Sequence, residues 1–205
     1  MHISELFSLK NDCAVVFGGK GKIGAPMVEA LAEAGARVYI VSPTAKTDDK
    51  IIKKFIEKDL DVHAICADQS NETQINNLIQ KIKTEYKTPN ILVNSGVARP
   101  MKDYMEDDSN NWMESMRING LGLFLTCRAF AKAMSKNGGS IINISSIYGI
   151  ISPDKSIYKG TKMGTEPDYP YNKGGMIMFS KYLASYFADK HVRVNCVEPG
   201  GFYNN

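Results

Sequence analysis

Long apolar runs, blocks of like charge and a signal-peptide pattern are all missing from this 205-residue sequence. No stretch approaches the roughly 18 consecutive apolar residues of a membrane-spanning helix. The first twelve residues carry acids where a signal peptide needs a basic and then an apolar segment. Lys and Arg number 25 against 22 Asp and Glu, and no run of five like charges suggests nucleic-acid binding. We expect a soluble, cytoplasmic protein without membrane or nucleic-acid partners.

The cysteines are few and widely spaced. Each of the four lies more than fifty residues from the next, so the CxxC and CxxH pairs that hold zinc are missing. Three of them fall in apolar, strand-like runs, and we interpret all four as small buried residues in a reducing compartment. The four residues are Cys13, Cys66, Cys127 and Cys196. The sequence therefore predicts no metal site.

Short apolar runs alternate with longer segments of helical period along the whole chain. The predicted strands are Cys13–Phe17, Arg37–Val41, Asp61–Ala67, Asn90–Asn94, Ser140–Ile144 and Val192–Val197. The predicted helices span 23–34, 46–58, 72–86, 111–136 and 169–189. This order predicts right-handed crossovers and a parallel sheet covered on both faces. At about 150 residues per domain, the chain is a single α/β domain, residues 1–205, with a doubly wound parallel sheet.

One long irregular segment, residues 150–168, interrupts the pattern. Pro153, Gly160, Gly164 and Pro167 break regular structure there. Loops of this length in compact domains are usually lids or binding segments. We therefore expect this loop to lie near an active site.

A glycine-rich turn follows the first strand and opens the first helix. Glycines let the backbone approach a pyrophosphate closely, and the N–H groups at a helix start bind anions. This Rossmann-type arrangement predicts a nucleotide-binding turn, with an ordinary turn as the alternative. Its candidate binding residues are Gly18, Lys20, Gly21, Lys22, Ile23 and Gly24.

The end of the second strand lacks the acid that would hold the ribose 2′-hydroxyl of NAD. Ser42 and Pro43 stand there instead, with Lys20 and Lys22 in the glycine turn and Lys46 just downstream. Positive charge without a carboxylate favours the 2′-phosphate of NADP, although the lysines could equally be solvated surface charges. We expect NADP or NAD as the cofactor, with a preference for NADP and a contact from Ser42.

Together, these and later residues resemble the short-chain dehydrogenase/reductase family over nearly the whole chain. The matching positions are the glycine turn, Asp68, Asn94, Asn119, Ser146, Tyr169 with Lys173, and Pro199 with Gly200. The resemblance implies an oxidoreductase that transfers hydride between a nicotinamide cofactor and a small secondary alcohol or ketone. It also implies cofactor contacts from Asp68, Gln69, Asn94, Ser95, Gly96, Tyr169, Lys173, Pro199 and Gly200.

Three Tyr-x-x-x-Lys pairs compete for the catalytic role, namely Tyr158/Lys162, Tyr169/Lys173 and Tyr186/Lys190. The first lies in the irregular loop, and the third ends a helix far from the strand termini where such sheets bind ligands. The second begins a helix, so its i, i+4 spacing places the ammonium beside the phenol and favours the phenolate. The family resemblance implies that Tyr169 exchanges a proton with the substrate oxygen while Lys173 also binds the nicotinamide ribose.

Two further polar residues complete the predicted catalytic set. Ser146 ends the fifth strand, where a hydroxyl can hydrogen-bond a substrate oxygen as charge develops. Ser145 next to it, or a plain turn, is the alternative. Asn119 matches the family's helix-bound asparagine of a water-mediated proton relay, and an asparagine in an apolar helix is otherwise costly.

Some positions depart from the family pattern or allow a second interpretation. Asp68 could be a helix N-cap rather than an adenine contact. Ser95 and Val97 replace the family's usual residues after Asn94, and Phe17 replaces a threonine before the glycine turn. The departures at Ser95 and Val97 affect the backbone contacts to the cofactor, whereas the one at Phe17 removes a structural hydrogen bond rather than a chemical group.

The sequence stops soon after Gly200, where members of the family usually continue. We therefore expect a fragment or a short member without the family's last strand, and a homo-oligomer if the full-length chain is longer. A non-catalytic or truncated nucleotide-binding member is the alternative. The segment around the long loop is similar to bacterial members linked to surface-sugar and flagellin-glycan biosynthesis, which implies a sugar-derived or polyol substrate.

Overall fold

The computed structural model describes residues 2–161 and 164–202. Its strands are β1 Cys13–Phe17, β2 Arg37–Ser42, β3 Val62–Cys66, β4 Ile91–Asn94, β5 Gly139–Ile144 and β6 Val192–Val197. Its helices are α1 Ile3–Leu6, α2 Gly24–Glu33, α3 Lys50–Glu57, α4 Glu72–Glu85, α5 Ser109–Ser115, α6 Gly122–Met134 and α7 Asp168–Tyr186. The predicted strands are thus found, each within one residue at either end.

The strands form a single parallel sheet in the order β3-β2-β1-β4-β5-β6. β1 lies at its centre, where Phe17 pairs with Val41 on one side and with Asn94 on the other. The chain moves outward in one direction through β2 and β3 and in the other through β4 to β6. Such a reversal leaves a crevice at the carboxyl ends of the central strands, where α/β sheets bind ligands. The predicted fold class is confirmed.

Alternate residues of β1 point into two separate cores. Cys13, Val15 and Phe17 pack with α4, α6 and α7 on one face of the sheet. Ala14 and Val16 pack with α2 and α3 on the other. Successive side chains of a strand point to opposite faces of the sheet. Because helices cover both faces here, every residue of β1 is apolar.

The long helix predicted over 111–136 is present but not uniform. It begins as α5, passes through a π-helical segment at Met116–Leu121 and continues as α6. The Gly122 N–H bonds the Arg117 carbonyl five residues back rather than four. Such widened turns are common at functional sites, and this one contains Asn119.

Some expectations were wrong in detail. The third helix begins at Lys50 rather than Lys46, and α1 was not predicted. The irregular segment contains a 3₁₀ turn at Lys155–Tyr158. Cys66 is exposed and Cys196 is half-buried, although both were expected to be buried. Each lies on an edge strand, β3 or β6, which has a neighbouring strand on one side only. Within the described residues, no helix is both long and apolar enough to cross a membrane.

Candidate active site

The glycine turn lies directly over the carboxyl end of β1, between the ends of β2 and β4. The Gly18 N–H donates to the Val41 carbonyl at 3.1 Å, and the backbone of Gly18 has φ +76°. A Cβ on Gly18 would lie 2.5 Å from the Gly96 nitrogen, and one on Gly24 would lie 2.3 Å from the Gly18 carbonyl oxygen. Neither site can hold a side chain, so the backbone itself forms the surface of this turn.

The start of α2 is open toward the same edge. Its N-cap residue is Ile23, which has no polar side chain to accept a helix N–H. Gly21 donates to the Gly18 carbonyl and accepts from Ala25, so the turn is braced internally. Lys22 is exposed at its outer side. A helix start of this kind leaves N–H groups available to an anion.

A cleft of about 370 Å³ continues from the glycine turn along the ends of β2, β3 and β4. Ser42 lines it, and the Ser42 Oγ is buried without a hydrogen-bond partner among the residues the structure describes. A buried hydroxyl normally has a partner, so this one marks a place for a polar ligand atom. With the glycine cradle, the cleft fits the pyrophosphate and adenosine ribose of a dinucleotide.

Lys20 is already paired in this structure. Its Nζ lies 2.7 Å from the Asp49 carboxylate and donates to the Thr44 carbonyl at 3.0 Å, two residues beyond Ser42. The Lys20 ammonium and the Lys46 N–H hold the pKa of the Asp49 carboxyl below its usual value. The positive charge that the sequence predicts beside Ser42 is therefore present, but it is partly neutralised.

Asp68 and Gln69 line the far side of the cleft. The Asp68 carboxylate accepts hydrogen bonds from Ser70 and from Arg117 at 3.1 Å. Burial opposes ionisation of Asp68, but these hydrogen bonds outweigh it and lower its pKa. The N-cap alternative for Asp68 is wrong, because Asn71 caps α4 by accepting from the Gln74 N–H. Gln69 Nε2 donates to the Ile118 carbonyl at 2.9 Å.

The side chain of Asn94 points into the core rather than into the cleft. It donates to Asn143 Oδ1 at 2.8 Å, and Asn143 in turn donates to Ser180 at 2.9 Å. The family match at Asn94 thus corresponds to a buried amide network that joins β4 and β5 to α7. Ser95 and Gly96 line the cleft, and the Ser95 N–H bonds the Phe17 carbonyl at 3.0 Å.

The end of β5 carries two buried serines with different partners. Ser145 Oγ donates to the Lys173 carbonyl at 2.8 Å, so its hydroxyl is committed to α7. Ser146 Oγ accepts the Tyr148 N–H at 3.1 Å and has its proton left to donate. This geometry favours Ser146 over Ser145 as the substrate-binding hydroxyl. The same hydrogen bond makes Ser146 the N-cap of a 3₁₀ turn at Ile147–Gly149, so the turn interpretation holds as well.

Lys173 is the buried cation of the site. Its Nζ donates to the Ile144 carbonyl at 2.5 Å and lies 5.6 Å from the centre of the Tyr169 ring. Burial, and then the positive charge of Arg99, lower the pKa of Lys173 to about 8. Tyr169 is half-buried at the first turn of α7, so helical spacing brings the phenol and the ammonium together at the end of β5.

A second polar network fixes the helix that carries Tyr169. The Asp168 carboxylate is 1% exposed and accepts the Ser115 hydroxyl proton at 2.6 Å. Ser115 Oγ also accepts from Asn119 at 3.0 Å and from Asn172 at 3.2 Å. Asn119 further bonds both the N–H and the carbonyl of Ala98, at 2.9 and 2.8 Å. Both amide hydrogens of Asn119 and one of its two acceptor positions are therefore used in joining the loop after β4 to α5.

The sequence that carries these residues matches a known protein family. A model of the short chain dehydrogenase family matches residues 12–204 of the chain. The chain belongs to this family. Mouse 3-oxoacyl-[acyl-carrier-protein] reductase is 32% identical over 188 residues, which are 92% of this chain and 74% of the mouse protein.

Solved structures agree with this assignment. A short chain dehydrogenase from Leptospira borgpetersenii with bound NAD+ has a TM-score of 0.83 at 29% identity, over 100% of this chain and 76% of that one. Pseudomonas aeruginosa RhlG, in an NADP complex, has a TM-score of 0.83 at 27% identity, over 99% of this chain and 77% of that one. This short-chain dehydrogenase is thus an oxidoreductase by family. Its chain spans about three quarters of the length of the mouse, Leptospira and Pseudomonas proteins.

The competing tyrosines of this short-chain dehydrogenase lie in other settings. Tyr158 shares a 2.5 Å hydrogen bond with Tyr148, which raises the pKa of Tyr148. Its sequence partner Lys162 lies outside the described residues. Tyr186 is the exposed last residue of α7, and Lys190 forms an ion pair with Asp189. Among the residues described by the structure, the buried ammonium lies beside Tyr169 and not beside Tyr158 or Tyr186.

Sequence reasoning missed several residues of the site in this dehydrogenase. Asp168 and Ser115 lie 53 positions apart, and no local pattern links them. An acid in the first turn of a helix was a usable signal for Asp168, because it suits the helix dipole. Arg99, whose guanidinium carbon lies 3.9 Å from the centre of the Tyr169 ring, follows β4 without a recognisable motif.

Pro199 and Gly200, which the resemblance implies as cofactor contacts, follow β6. The Pro199 carbonyl accepts the Ile147 N–H at 3.1 Å, and Gly200 is exposed.

Proposed function

We propose that this chain transfers hydride between a nicotinamide dinucleotide and a secondary alcohol or ketone. The observation that carries the proposal is the buried Lys173 ammonium beside Tyr169, at the sheet edge that also bears Ser146 and the glycine turn. When bound, the nicotinamide supplies or accepts the hydride. NAD+ in the Leptospira structure and NADP in the RhlG complex support a cofactor of this class.

In the direction of reduction, the Tyr169 hydroxyl gives its proton to the carbonyl oxygen as that oxygen gains negative charge. In oxidation, the Tyr169 oxygen takes the proton back. The Ser146 hydroxyl donates to the same substrate oxygen, and a donor aimed at developing charge lowers the barrier. The Lys173 ammonium stabilises the phenolate that Tyr169 becomes after it has given up its proton. Below about pH 8 Lys173 carries this charge.

Asn119 has a supporting role in this proposal. Its amide bonds Ala98 and Ser115, so it holds the loop after β4 against the end of α5, and Ser115 in turn bonds Asp168 at the start of α7. A part in a water-mediated relay stays a prediction for Asn119. The sugar-derived substrate also stays a prediction, and the mouse relative is a 3-oxoacyl-[acyl-carrier-protein] reductase.

We further propose that NADP is the preferred dinucleotide. The unpartnered Ser42 hydroxyl and the nearby Lys20 ammonium suit a 2′-phosphate, while Asp49 competes for Lys20. Replacing Asp49 with asparagine removes this competitor, so the affinity for NADPH should rise about three- to tenfold with little change for NADH. Fluorescence titration of both reduced cofactors measures this. A rise in NADH affinity alone would contradict the role of Lys20.

The experiment for the main proposal is a turnover assay on the purified chain. NADPH and NADH are each mixed with a panel of ketones that includes 3-oxoacyl thioesters and keto sugars, and loss of the reduced-nicotinamide absorbance is followed. Turnover that disappears in a folded Tyr169→Phe variant supports the proposal. Tight cofactor binding without turnover on any member of the panel would favour the non-catalytic alternative.

A further inference from the structure

A cationic side chain covers the outer face of the Tyr169 ring. The guanidinium carbon of Arg99 lies 3.9 Å from the ring centre, and the Arg99 residue is exposed. The residue before it, Ala98, is held at both its N–H and its carbonyl by Asn119. Arg99 therefore projects from a fixed point of the backbone toward the site of chemistry.

The cleft in front of Tyr169 has a volume of about 540 Å³ and contains a second cation. Lys102 lines it, and the Lys102 Nζ donates to the Arg99 carbonyl at 3.2 Å. Among residues 2–161 and 164–202, neither Arg99 nor Lys102 forms an ion pair with a carboxylate. The Arg99 charge therefore remains available to a molecule in this cleft, whereas the Asp107 carboxylate, which accepts the Lys102 backbone N–H, lies near Lys102.

Two acids also line the cleft, and they differ in availability. The Asp168 carboxylate is 1% exposed and is bonded to Ser115, so it faces inward. Glu166 is half-buried, and it is the other acid among the described residues that line this cleft. The Arg99 guanidinium, stacked on Tyr169, therefore places a positive charge next to the reacting position.

We propose that the substrate of this enzyme carries an anionic group, a carboxylate or a phosphate, that Arg99 binds. This inference rests on the proposed function, because it places the reacting carbon at Tyr169. A guanidinium stacked on an aromatic ring keeps its N–H edge free, and that edge matches two oxygens of a carboxylate or phosphate. Lys102 adds a second donor at the same end. Arg99 then selects substrates and orients the carbonyl toward Tyr169.

The test measures binding of anions without turnover. Wild-type protein saturated with NADP+ is titrated calorimetrically with malonate, with its neutral analogue malonamide and with inorganic phosphate. We expect malonate or phosphate to bind at least about tenfold more tightly than malonamide, and Arg99→Met to remove that difference. Arg99→Lys should keep part of it. A preference for malonate over phosphate, or the reverse, identifies the anion.

Arg128→Met is the matched control. Arg128 is also an exposed arginine stacked on an aromatic ring, 4.6 Å from the centre of Phe124, but it lies on α6 outside the cleft. This variant should bind anions like the wild type. Equal binding of malonate, phosphate and malonamide to the wild type, or unchanged anion binding in Arg99→Met, would overturn the inference.

The same titrations separate this inference from the proposed function. Binding of NADP+ and of NAD+ is recorded first, and the anion titrations are repeated without dinucleotide. Failure to bind any dinucleotide would contradict the proposed function, whereas dinucleotide binding without an Arg99-dependent anion would contradict only the assignment of Arg99.

Discussion

Replacing Lys173 with methionine removes the buried charge beside Tyr169, and the pH dependence of the effect measures the energetic cost of that charge. Burial, and then Arg99, lower the pKa of Lys173 from 10.5 to about 8. At neutral pH the folded protein therefore holds an ammonium that is less favourable there than in the unfolded chain. At about 1.4 kcal/mol per pKa unit, this lowers the free energy of unfolding by about 3 kcal/mol.

The sign of the pH dependence follows from the two protonation states. Below about pH 8 Lys173 is charged in both folded and unfolded chains, and the folded state bears the whole cost. As pH rises from there toward 10.5, the folded protein releases this proton while the unfolded chain keeps it, so the cost declines. The unfolding free energy of the wild type should thus rise relative to Lys173→Met, by about 2 kcal/mol between pH 7 and pH 9.5.

The deciding quantity is the change in the effect of Lys173→Met on the unfolding free energy between pH 7 and pH 9.5. The effect at a single pH is not sufficient, because the substitution also acts in a second way. Methionine also removes the hydrogen bond to the Ile144 carbonyl, which costs about 1–3 kcal/mol at either pH. Urea denaturation of wild type and variant at both pH values measures the difference. Lys181→Met, an exposed lysine on the same helix, is the control in which no such change is expected. An equal effect of Lys173→Met at both pH values would refute the reasoning.

Two further predictions address the cofactor cradle and the polar network. Gly24→Val should abolish dinucleotide binding in fluorescence titration, because its Cβ would lie 2.3 Å from the Gly18 carbonyl oxygen, whereas Gly175→Ala, with open space around its Cβ, should bind normally. Unchanged affinity in a folded Gly24→Val protein would contradict the cradle. Ser115→Ala leaves the buried Asp168 carboxylate without its 2.6 Å donor and should lower the free energy of unfolding by about 2–4 kcal/mol in urea, and a loss below about 0.5 kcal/mol would show that the bond is unimportant.

The sheet could be predicted from the sequence because buried parallel strands are continuous apolar runs. β1 and β6 match their predicted ranges, and the glycine turn stands where the pattern of strand, glycine and helix indicates. Cys66 was misjudged because the sequence does not show which strand forms the edge of the sheet. The order of the strands is a property of the fold, and it decides which apolar residues are covered.

The site was predictable only in part, because its supporting contacts are long-range. Tyr169 and Lys173 share one helical turn, so their proximity follows from spacing. Asp168 and Ser115 meet only when α7 packs on α5, and Arg99 reaches Tyr169 only across the sheet edge. Asn94 matches a family position, yet its amide is turned into the core toward Asn143. The helical period of residues 111–136 likewise did not indicate the π-helical segment at Met116–Leu121.

Comparison of two tyrosine variants tests the central claim most directly. NADPH oxidation by a ketone substrate should fall about 10²- to 10⁴-fold in Tyr169→Phe, while NADPH binding stays unchanged. In Tyr158→Phe the maximal rate should stay within about threefold of the wild type, with at most a change in KM. An active protein that loses turnover in Tyr158→Phe and keeps it in Tyr169→Phe would contradict the account.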